Sequence, residues 1–502
     1  MGKPAQDHEA AEVQLYANRV RVYPRAVHGI ARSVKWTILV LCLVVYYATP
    51  WIRWDRGEGR PNQAVLLDIA HERFYIFGLT FWPEDIYYLT GALILAAVSL
   101  FLVTSLAGRV WCGYACPQTV WTDLFMWVER FIEGDRNARM RRDHGAMTFD
   151  KVWRKIAKHG LWVGIAFWTG GAWIMYYVDA PSVTVQFWTG QASLEIYFFT
   201  GLFTAFTYVL AGWAREQVCT YMCPWPRFQA SMLDEQSFIV TYQNWRGEPR
   251  GHGKRDDAGR VAGRAVGDCI AGKAMDDCIA GKAMGDCIDC RACVNVCPTG
   301  IDIREGVQLG CINCGLCVDA CNEIMVKVGR PKWLILWDTL ARQEAKAAGR
   351  HEAIRLLRPR TLIYVTALVL ATTIMGSALA MRPLIGLSVQ RDRAPLFVTV
   401  RDGSIRNAYA VKVSNKTPDA ARFGLSIGGL PGASMVLADD TGHRMATLAL
   451  DVAGGSIGTF RVLVFGRPAA LAEGSRKLAF TLRNAATGEN TEVASVFLGP
   501  VR

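Results

Sequence analysis

The chain has 502 residues, of which 51% are hydrophobic and 20% are charged. This composition is too apolar for an ordinary soluble enzyme and too charged for a chain that lies wholly in a membrane, so it predicts several spans joined to soluble parts. The net charge of +12 does not indicate nucleic-acid binding, because the basic residues flank apolar segments and no nucleic-acid motif is present.

The N-terminal segment, residues 1–35, is polar and basic, and no small-residue cleavage site follows the first apolar run after it. We therefore predict no removable signal peptide. Five uncharged apolar stretches come next; the last four have the length of a membrane helix, whereas the first is short and is also compatible with a buried helix. The predicted spans are 36–51, 86–107, 160–178, 196–214 and 361–381.

The loops between these spans predict the orientation, because basic loops stay in the cytoplasm. Residues 108–159 are rich in Arg and Lys, whereas residues 179–195 contain neither; the four arginines of 52–85 weaken this bias without reversing it. The N-terminal segment and the loops 108–159 and 215–360 are therefore predicted to be cytoplasmic. Five spans in a bacterial inner membrane then place the C-terminal part in the periplasm.

Two CxxxCP motifs follow the second and fourth spans. The first contains Cys112 and Cys116, and the second contains Cys219 and Cys223. We expect the two cysteines of each pair to share one helix face, and the proline after each pair to begin an amphipathic helix at the membrane surface. Soft thiolates select Cu(I), so these four thiols are our candidate copper ligands. The alternative is that they are packing cysteines.

The predicted cytoplasmic linker 215–285 contains a nonapeptide repeat, in which Asp-Cys-Ile-Ala-Gly-Lys-Ala-Met occurs at 268–275 and again at 277–284. Its cysteines, Cys269 and Cys278, lack cluster spacing, and we interpret them as loop thiols rather than ligands. Cys42 lies inside the first span and is interpreted as a packing residue.

Residues 286–325 carry the strongest motif, the spacing of a bacterial ferredoxin with two [4Fe–4S] clusters. In that arrangement the fourth cysteine of each run binds the other cluster, so one cluster is predicted on Cys287, Cys290, Cys293 and Cys321. The second cluster is predicted on Cys297, Cys311, Cys314 and Cys317. Zinc, the alternative, prefers two separated CxxC pairs around one ion. Paired clusters of this kind transfer single electrons.

A second linker, 326–360, leads to the fifth span. Residues 384–502 have a different residue pattern. Short β-branched runs alternate there with Gly- and Asn-rich turns, which predicts an immunoglobulin-like β-sandwich. No cysteine follows Cys321, so this sandwich has no disulfide, and we expect it to serve in docking or scaffolding. The fold class is thus a multi-domain chain: a five-span helical bundle (36–214 and 361–381), a two-cluster ferredoxin-like segment and an all-β domain.

The eight histidines form no paired ligand motif, and no Gly-rich dinucleotide fingerprint is present, so the sequence does not indicate nucleotide binding in this chain. Haem ligation would depend on isolated histidines such as His28, His71 or His159.

Several segments resemble the FixG/RdxA/CcoG family. They are Tyr-Pro-Arg-Ala-Val at 23–27, Gly-Arg-Val-Trp-Cys-Gly-Tyr-Ala-Cys-Pro-Gln at 108–118, Arg-Glu-Gln-Val-Cys at 215–219, Asp-Cys-Ile-Asp-Cys at 286–290 and Cys-Pro-Thr-Gly-Ile-Asp-Ile-Arg at 297–304. The resemblance implies an accessory protein for assembly of cbb-type cytochrome c oxidase that reduces Cu(II) to Cu(I). It also implies five spans, a periplasmic immunoglobulin-like domain and a homodimer. The duplicated Ala-Gly-Lys-Ala-Met stretch departs from the family pattern.

Three hypotheses follow for the function. The first is a cupric reductase that takes electrons from an unidentified cytoplasmic donor and supplies copper chaperones or oxidase subunits. The second is a quinol-linked membrane ferredoxin that passes electrons to a respiratory reductase without copper. The third is a scaffold whose clusters only stabilise the fold.

Overall fold

The described residues include several apolar helices that are long enough to span a membrane. A computed structural model describes residues 21–57, 60–251, 285–439, 443–467 and 474–500. Within these residues, four helical segments are long and apolar enough to cross a membrane: Ile30–Trp51, Pro83–Ala107, Leu194–Ala214 and Pro359–Ala380. Side chains such as Leu93 and Leu370 are more than half exposed on them, as expected where lipid provides the apolar surroundings.

These four segments contain the first, second and fourth predicted spans and all but the last residue of the fifth. The third prediction, 160–178, falls in a helix that begins at Phe149 and ends at Ile174. This helix is basic in its first turns, and its apolar part is rich in Gly and Trp, so it does not qualify by length and composition among the described residues. The five-span count and the sidedness stay predictions, and the nonapeptide repeat with Cys269 and Cys278 lies outside the described residues.

The chain divides into two units. The first contains the described residues up to Ile52, together with Gln63–Phe74 and Pro83–Thr372, and the second contains Arg53–Asn62, Tyr75–Trp82 and the chain from Thr373 onward. The helices are α1 Ile30–Ala48, α2 Ile86–Ala107, α3 Val110–Tyr114, α4 Pro117–Glu133, α5 Arg136–His144, α6 Phe149–Ile174, α7 Ala180–Thr189, α8 Leu194–Thr207, α9 Trp225–Met232, α10 Asn244–Gly247, α11 Ala292–Val296, α12 Leu316–Lys327, α13 Leu340–Ala347 and α14 Pro359–Ala380.

Short strands and tight helical turns connect these helices. The strands are β1 Val65–Asp68, β2 Arg73–Ile76, β3 Leu79–Phe81, β4 Ile239–Tyr242 and β5 Ile335–Asp338. Strands β4 and β5 pair antiparallel and flank the cysteine-rich segment in sequence. The chain forms π-helical turns at Tyr208–Ala214 and Val218–Met222, and 3₁₀ turns at Thr49–Trp51, Pro83–Asp85 and Ile303–Glu305.

Helix α4 carries the amphipathic pattern that the sequence predicts after the first CxxxCP motif. It begins at Pro117, whose missing N–H costs nothing in the first turn, and it ends before Gly134, which has a φ of +82°. Its buried face packs Phe125 on Trp162 of α6, with ring centroids 5.4 Å apart. The same face buries Asp123, Glu129 and Glu133, which therefore need cationic partners.

The second unit contains two antiparallel sheets. Its strands are β6 Ile385–Arg391, β7 Val398–Thr399, β8 Ile405–Asn415, β9 Ala421–Gly428, β10 Ser434–Leu437, β11 Thr447–Val452, β12 Ser456–Gly466, β13 Ser475–Asn484 and β14 Asn490–Leu498. One sheet has the order β10-β12-β8-β6 with β7 beside β8, and the other has the order β11-β9-β13-β14. Alternate side chains from both sheets, such as Tyr409 and Phe480, form a fully buried core. The predicted β-sandwich is therefore confirmed.

Candidate redox site

The four cysteines predicted to hold the second cluster line one cavity: Cys297, Cys311, Cys314 and Cys317. Cys297 directly follows α11, and Cys317 lies in the first turn of α12, so two short helices present these side chains. Between them the loop turns through Asn313 and Gly315, both with positive φ. At Gly315 an added Cβ would lie 1.9 Å from the ring of Trp337, so the loop needs glycine there.

The cysteines predicted for the first cluster are also neighbours. Cys287, Cys293 and Cys321 share a buried apolar core with Val240 and Tyr242, whereas Cys290 is exposed. Burial, with smaller contributions from the nearby thiols of Cys293, Cys290 and Cys287, raises the pKa of the Cys321 thiol to about 12. The structure thus brings all four into one neighbourhood.

The donor set fits iron–sulfur clusters. Burial raises the pKa of both the Cys293 and the Cys311 thiol to about 12, so each thiol keeps its proton unless a metal replaces it. Nowhere in the described part of the chain do three or more Cys, His, Asp or Glu side chains converge closely enough to hold one metal ion. A cubane binds each thiolate at a separate corner, so its ligands need not meet at one point.

Arg304 provides the charge beside the first cluster site. Its guanidinium is buried, pairs with Asp289 and Asp302 at 2.6 Å, and lies 4.0 Å from the Cys287 sulfur. The spacing of the cysteines does not predict a role for Arg304, which lies seven residues after Cys297 in the sequence.

The two CxxxCP pairs have a different local structure from the predicted one. Cys112 lies in α3 and Cys219 in a π-helical turn, but Cys116 and Cys223 follow these turns in extended backbone. The prediction that each pair shares a helix face is wrong, because the proline after each second cysteine disfavours a helical conformation at that cysteine. The π-helical turns before Cys223 are of a kind that often occurs at functional sites.

The four CxxxCP thiols nevertheless lie in one neighbourhood. Burial, with smaller contributions from the thiols of Cys116, Cys219 and Cys223, raises the pKa of the Cys112 thiol to about 12. The pKa of Cys219 is raised to about 11 by burial and then by Cys116 and Cys223. The Cys112 thiol donates a hydrogen bond to Oε1 of Gln229 at 3.1 Å. In this conformation the thiols are close but not gathered around one ion.

The first CxxxCP motif contacts the loop of the second cluster site directly. Tyr114 donates its hydroxyl hydrogen to the backbone carbonyl of Cys314 at 3.0 Å, and Arg109 donates to the carbonyl of Cys311 at 3.3 Å. Gly113 lies so close that an added Cβ would be 2.5 Å from the carbonyl oxygen of Ile312. The motif spacing does not predict this contact. A glycine such as Gly113, between Cys112 and Tyr114, is nevertheless typical of positions where another backbone approaches closely.

Helix α1 is bonded to α12, the helix that follows the same cluster loop. The amides of Ala31 and Arg32 donate to the carboxylate of Asp319, at 3.3 Å and 2.8 Å. One turn further along, the buried Lys35 lies 3.8 Å from Asp123, which also binds Arg32. A membrane helix, the first CxxxCP motif and the second cluster site therefore form one packed region.

These features define a membrane protein with an iron–sulfur redox segment and a β-sandwich. Family models match residues 214–340 as a "4Fe-4S dicluster domain", residues 89–134 as a "4Fe-4S binding domain" and residues 375–500 as "IG-like fold at C-terminal of FixG". The chain is 46% identical to "Nitrogen fixation protein FixG" of Rhizobium meliloti over 86% of this chain and 84% of that protein.

Two proteins of Cereibacter sphaeroides are equally similar. "Protein RdxA" is 46% identical over 83% of this chain and 84% of its own length, and "Protein RdxB" is 46% identical over 82% and 83%. The chain therefore belongs to the FixG/RdxA family, as the resemblance predicts. Its sandwich is immunoglobulin-like, and its cysteine-rich segment is a 4Fe–4S dicluster domain.

Proposed function

We propose that this protein is a cupric reductase, in which the two clusters supply electrons to copper at the thiols of Cys112, Cys116, Cys219 and Cys223. Bound [4Fe–4S] clusters supply single electrons, and reduction of Cu(II) to Cu(I) consumes one. The thiolates favour the soft Cu(I) product over Cu(II). This preference makes copper bound at these thiols easier to reduce than copper in water.

The observation that carries this proposal is the contact between the first CxxxCP motif and the second cluster site. Tyr114 and Arg109 bond the carbonyls of two predicted cluster ligands, Cys314 and Cys311. Cys112 itself packs against the apolar cluster that contains Cys314. An electron that leaves the second cluster therefore has a short path through packed atoms to the four thiols.

The wider role in the proposal follows from family resemblance and charge pattern. The clusters and the CxxxCP thiols lie on the cytoplasmic side of a bacterial inner membrane, and the sandwich is periplasmic. The protein acts as a homodimer and delivers Cu(I) to copper chaperones or to subunits of cbb-type cytochrome c oxidase during assembly.

The test removes the thiols in pairs. In C112S/C116S and C219S/C223S, we expect copper bound per chain to fall to a background level and Cu(II) reduction by the chemically reduced protein to be lost. Iron should stay at about eight atoms per chain, since two cubanes need no more. C42S, which removes a thiol inside α1 and away from both motifs, is the matched control. Unchanged copper in the double variants would remove copper from these sites.

A second candidate is a quinol-linked iron–sulfur carrier without copper, favoured by the match of residues 89–134 to a 4Fe–4S binding domain. That match includes Cys112 and Cys116, so the four CxxxCP thiols would hold a further cubane. Anaerobic analysis would then give about twelve iron atoms per chain rather than about eight. Quinol would reduce the clusters in membranes, and added copper would not change the rate.

A further inference from the structure

Arg109 is a buried cation that pairs with no carboxylate among the residues that the structure describes. Only 4% of this residue is exposed. Its guanidinium donates to the backbone carbonyls of Leu309, Cys311 and Pro226, at 3.3 Å for Cys311 and 2.8 Å for Pro226. Carbonyl oxygens satisfy the N–H groups but do not neutralise the charge. Because a buried charge without a counter-ion is costly, the position of Arg109 indicates an anionic neighbour other than a carboxylate.

The second cluster site provides such a neighbour. Arg109 and Cys311 line one small cavity, and the charge of Arg109 lowers the pKa of the Cys311 thiol, against the larger effect of burial. A cubane that is held by four thiolates carries a net negative charge, and reduction adds one more negative charge. A fixed positive charge beside this site therefore stabilises the reduced cluster more than the oxidised cluster.

The same guanidinium is close to both CxxxCP motifs. Arg109 lies three residues before Cys112, and its charge lowers the pKa of the Cys112 thiol, again against burial. Pro226, whose carbonyl accepts one of its hydrogen bonds, lies three residues after Cys223. Arg109 is therefore placed between the second cluster site and the thiols that we propose for copper.

Other buried cations near the cluster sites have carboxylates beside them. Lys35 lies 3.8 Å from Asp123, and the two act with opposite sign on the pKa of the Cys314 thiol. At the first cluster site, Arg304 pairs with two carboxylates at 2.6 Å. In these cases the negative partner offsets the field of the cation at the cluster. The field of Arg109 is not offset by any carboxylate in the described part of the chain.

We propose that Arg109 is a positioning residue that raises the reduction potential of the second cluster and so holds an electron beside the CxxxCP thiols. One electron passes from the reduced first cluster, which becomes oxidised, to the second cluster, which becomes reduced; no bond breaks and no proton is needed. The onward step to copper rests on the proposed function. The effect of Arg109 on the potential rests on the cluster site alone.

The experiment is a potentiometric EPR titration with dithionite on the full-length protein, purified anaerobically in detergent with its clusters and without copper. R109Q keeps a hydrogen-bond donor but removes the charge, whereas R109K keeps the charge with fewer donors. In R109Q, the equilibrium constant for reduction of one cluster should fall about tenfold, which lowers its potential by about 59 mV. R109K should have potentials close to those of the unmodified protein.

Two further variants identify the affected cluster and control for the loss of an arginine. D302N removes one of the two carboxylates that pair with Arg304 at the first cluster site, so it should raise the potential of the other cluster. R227Q removes an exposed cation from α9, where solvent screens its charge, and it should change neither potential.

The proposal is overturned if R109Q shifts no potential, if R109K shifts it equally, or if R109Q and D302N act on the same cluster. Should R109Q lose its iron, Q308E tests the same charge, because Gln308 lines the cavity shared by Arg109 and Cys311. A carboxylate there should lower the same potential, and no shift would again overturn the proposal. If the potentials move as expected while the paired thiol variants keep their copper, the cupric reductase proposal fails and the role of Arg109 stands.

Discussion

At the scale of single residues, the helix after the first CxxxCP motif depends on a buried carboxylate. The side chain of Glu129 is 1% exposed and pairs with Arg139 at 2.7 Å, Arg215 at 3.0 Å and Lys158 at 3.6 Å. Burial by itself would raise the pKa of Glu129, but Arg215 and Arg139 outweigh burial and hold the pKa at about 2. Cations from α5, α6 and the turn at Arg215 therefore share this one carboxylate as a counter-ion.

The first prediction is that E129Q destabilises the protein by about 3–5 kcal/mol, because it leaves buried cations without their counter-charge. The sign of the pH effect follows from the pKa, since the folded value of about 2 lies below the ordinary value of 4.5. Stability from Glu129 is complete above pH 4.5 and is lost as the pH falls toward 2. Thermal unfolding in detergent across this range measures both effects.

The control for this prediction is E235Q, since Glu235 is exposed and its backbone carbonyl, rather than its carboxylate, binds Ala341. E235Q should unfold at the temperature of the unmodified protein. E129Q should also lose less stability than the unmodified protein between pH 4.5 and 2. An E129Q variant with unchanged melting temperature would show that the ion cluster contributes nothing.

The second prediction concerns the contact between Gly113 and the cluster loop. In G113A the new Cβ meets the carbonyl oxygen of Ile312 at 2.5 Å, so α3 must move away, at a cost of about 1–3 kcal/mol. We expect slower single-turnover Cu(II) reduction with unchanged iron content. G160A adds the same methyl group where no atom lies within 4 Å, and it should react like the unmodified protein. Equal rates in both variants would argue against electron transfer through this contact.

At the scale of elements, hydrophobicity predicts the bounds of a helix well when the helix is apolar on all sides. The spans at 86–107 and 361–381 are apolar on all sides, and the helices Ile86–Ala107 and Pro359–Ala380 match them closely. Helix Phe149–Ile174 differs, because its buried Lys158 pairs with Glu129 and Glu133 on α4. Such a helix carries both charged and apolar side chains, and their partners lie on neighbouring helices. Its own sequence therefore does not show what surrounds it.

The cysteine spacing predicts which thiols are neighbours, but not what else surrounds them. The second set of four lines one cavity together with Cys293 of the first set, because ferredoxin spacing keeps these thiols on a short path; which thiols hold which cluster stays a prediction. The partners Arg304, Asp319 and Tyr114 come from tertiary packing, which motif spacing does not encode. The extended backbone at Cys116 and Cys223 could have been predicted from the sequence, because the residue that follows each of them is proline.

The third prediction is that Asp319 acts as a cap for α1 supplied by the cluster segment. Gly29 gives no side-chain cap of its own, so the amides of Ala31 and Arg32 rely on the Asp319 carboxylate. D319A should destabilise the first turn of α1 by about 0.5–2 kcal/mol. Hydrogen exchange at these two amides should accelerate about 2-fold to 30-fold. D319N keeps an acceptor and should exchange more slowly than D319A; identical exchange in both would contradict the cap.

At the scale of the whole molecule, the two units rely on different kinds of core. In the first unit, cysteine side chains contribute to the apolar cores around the cluster sites. The core of the second unit is formed by residues such as Tyr409, Phe423 and Phe480, and no cysteine occurs after Cys321. Only the first core should therefore depend on iron.

The fourth prediction follows from this difference. Helices α11 and α12 are short, and isolated helices of that length are only marginally stable in water. The free energy of cluster binding is therefore needed to stabilise the folded cysteine segment. After oxidative loss of the clusters and chelation of iron, trypsin should cleave rapidly at Arg304 and Lys327. Peptides from 385–467 and 474–498 should stay protected, because their core contains no metal ligand. Mass spectrometry of the fragments gives both results in one experiment, and treatment with a Cu(I) chelator alone is the control. Equal protection of 285–338 with and without iron would mean that the segment folds without its clusters.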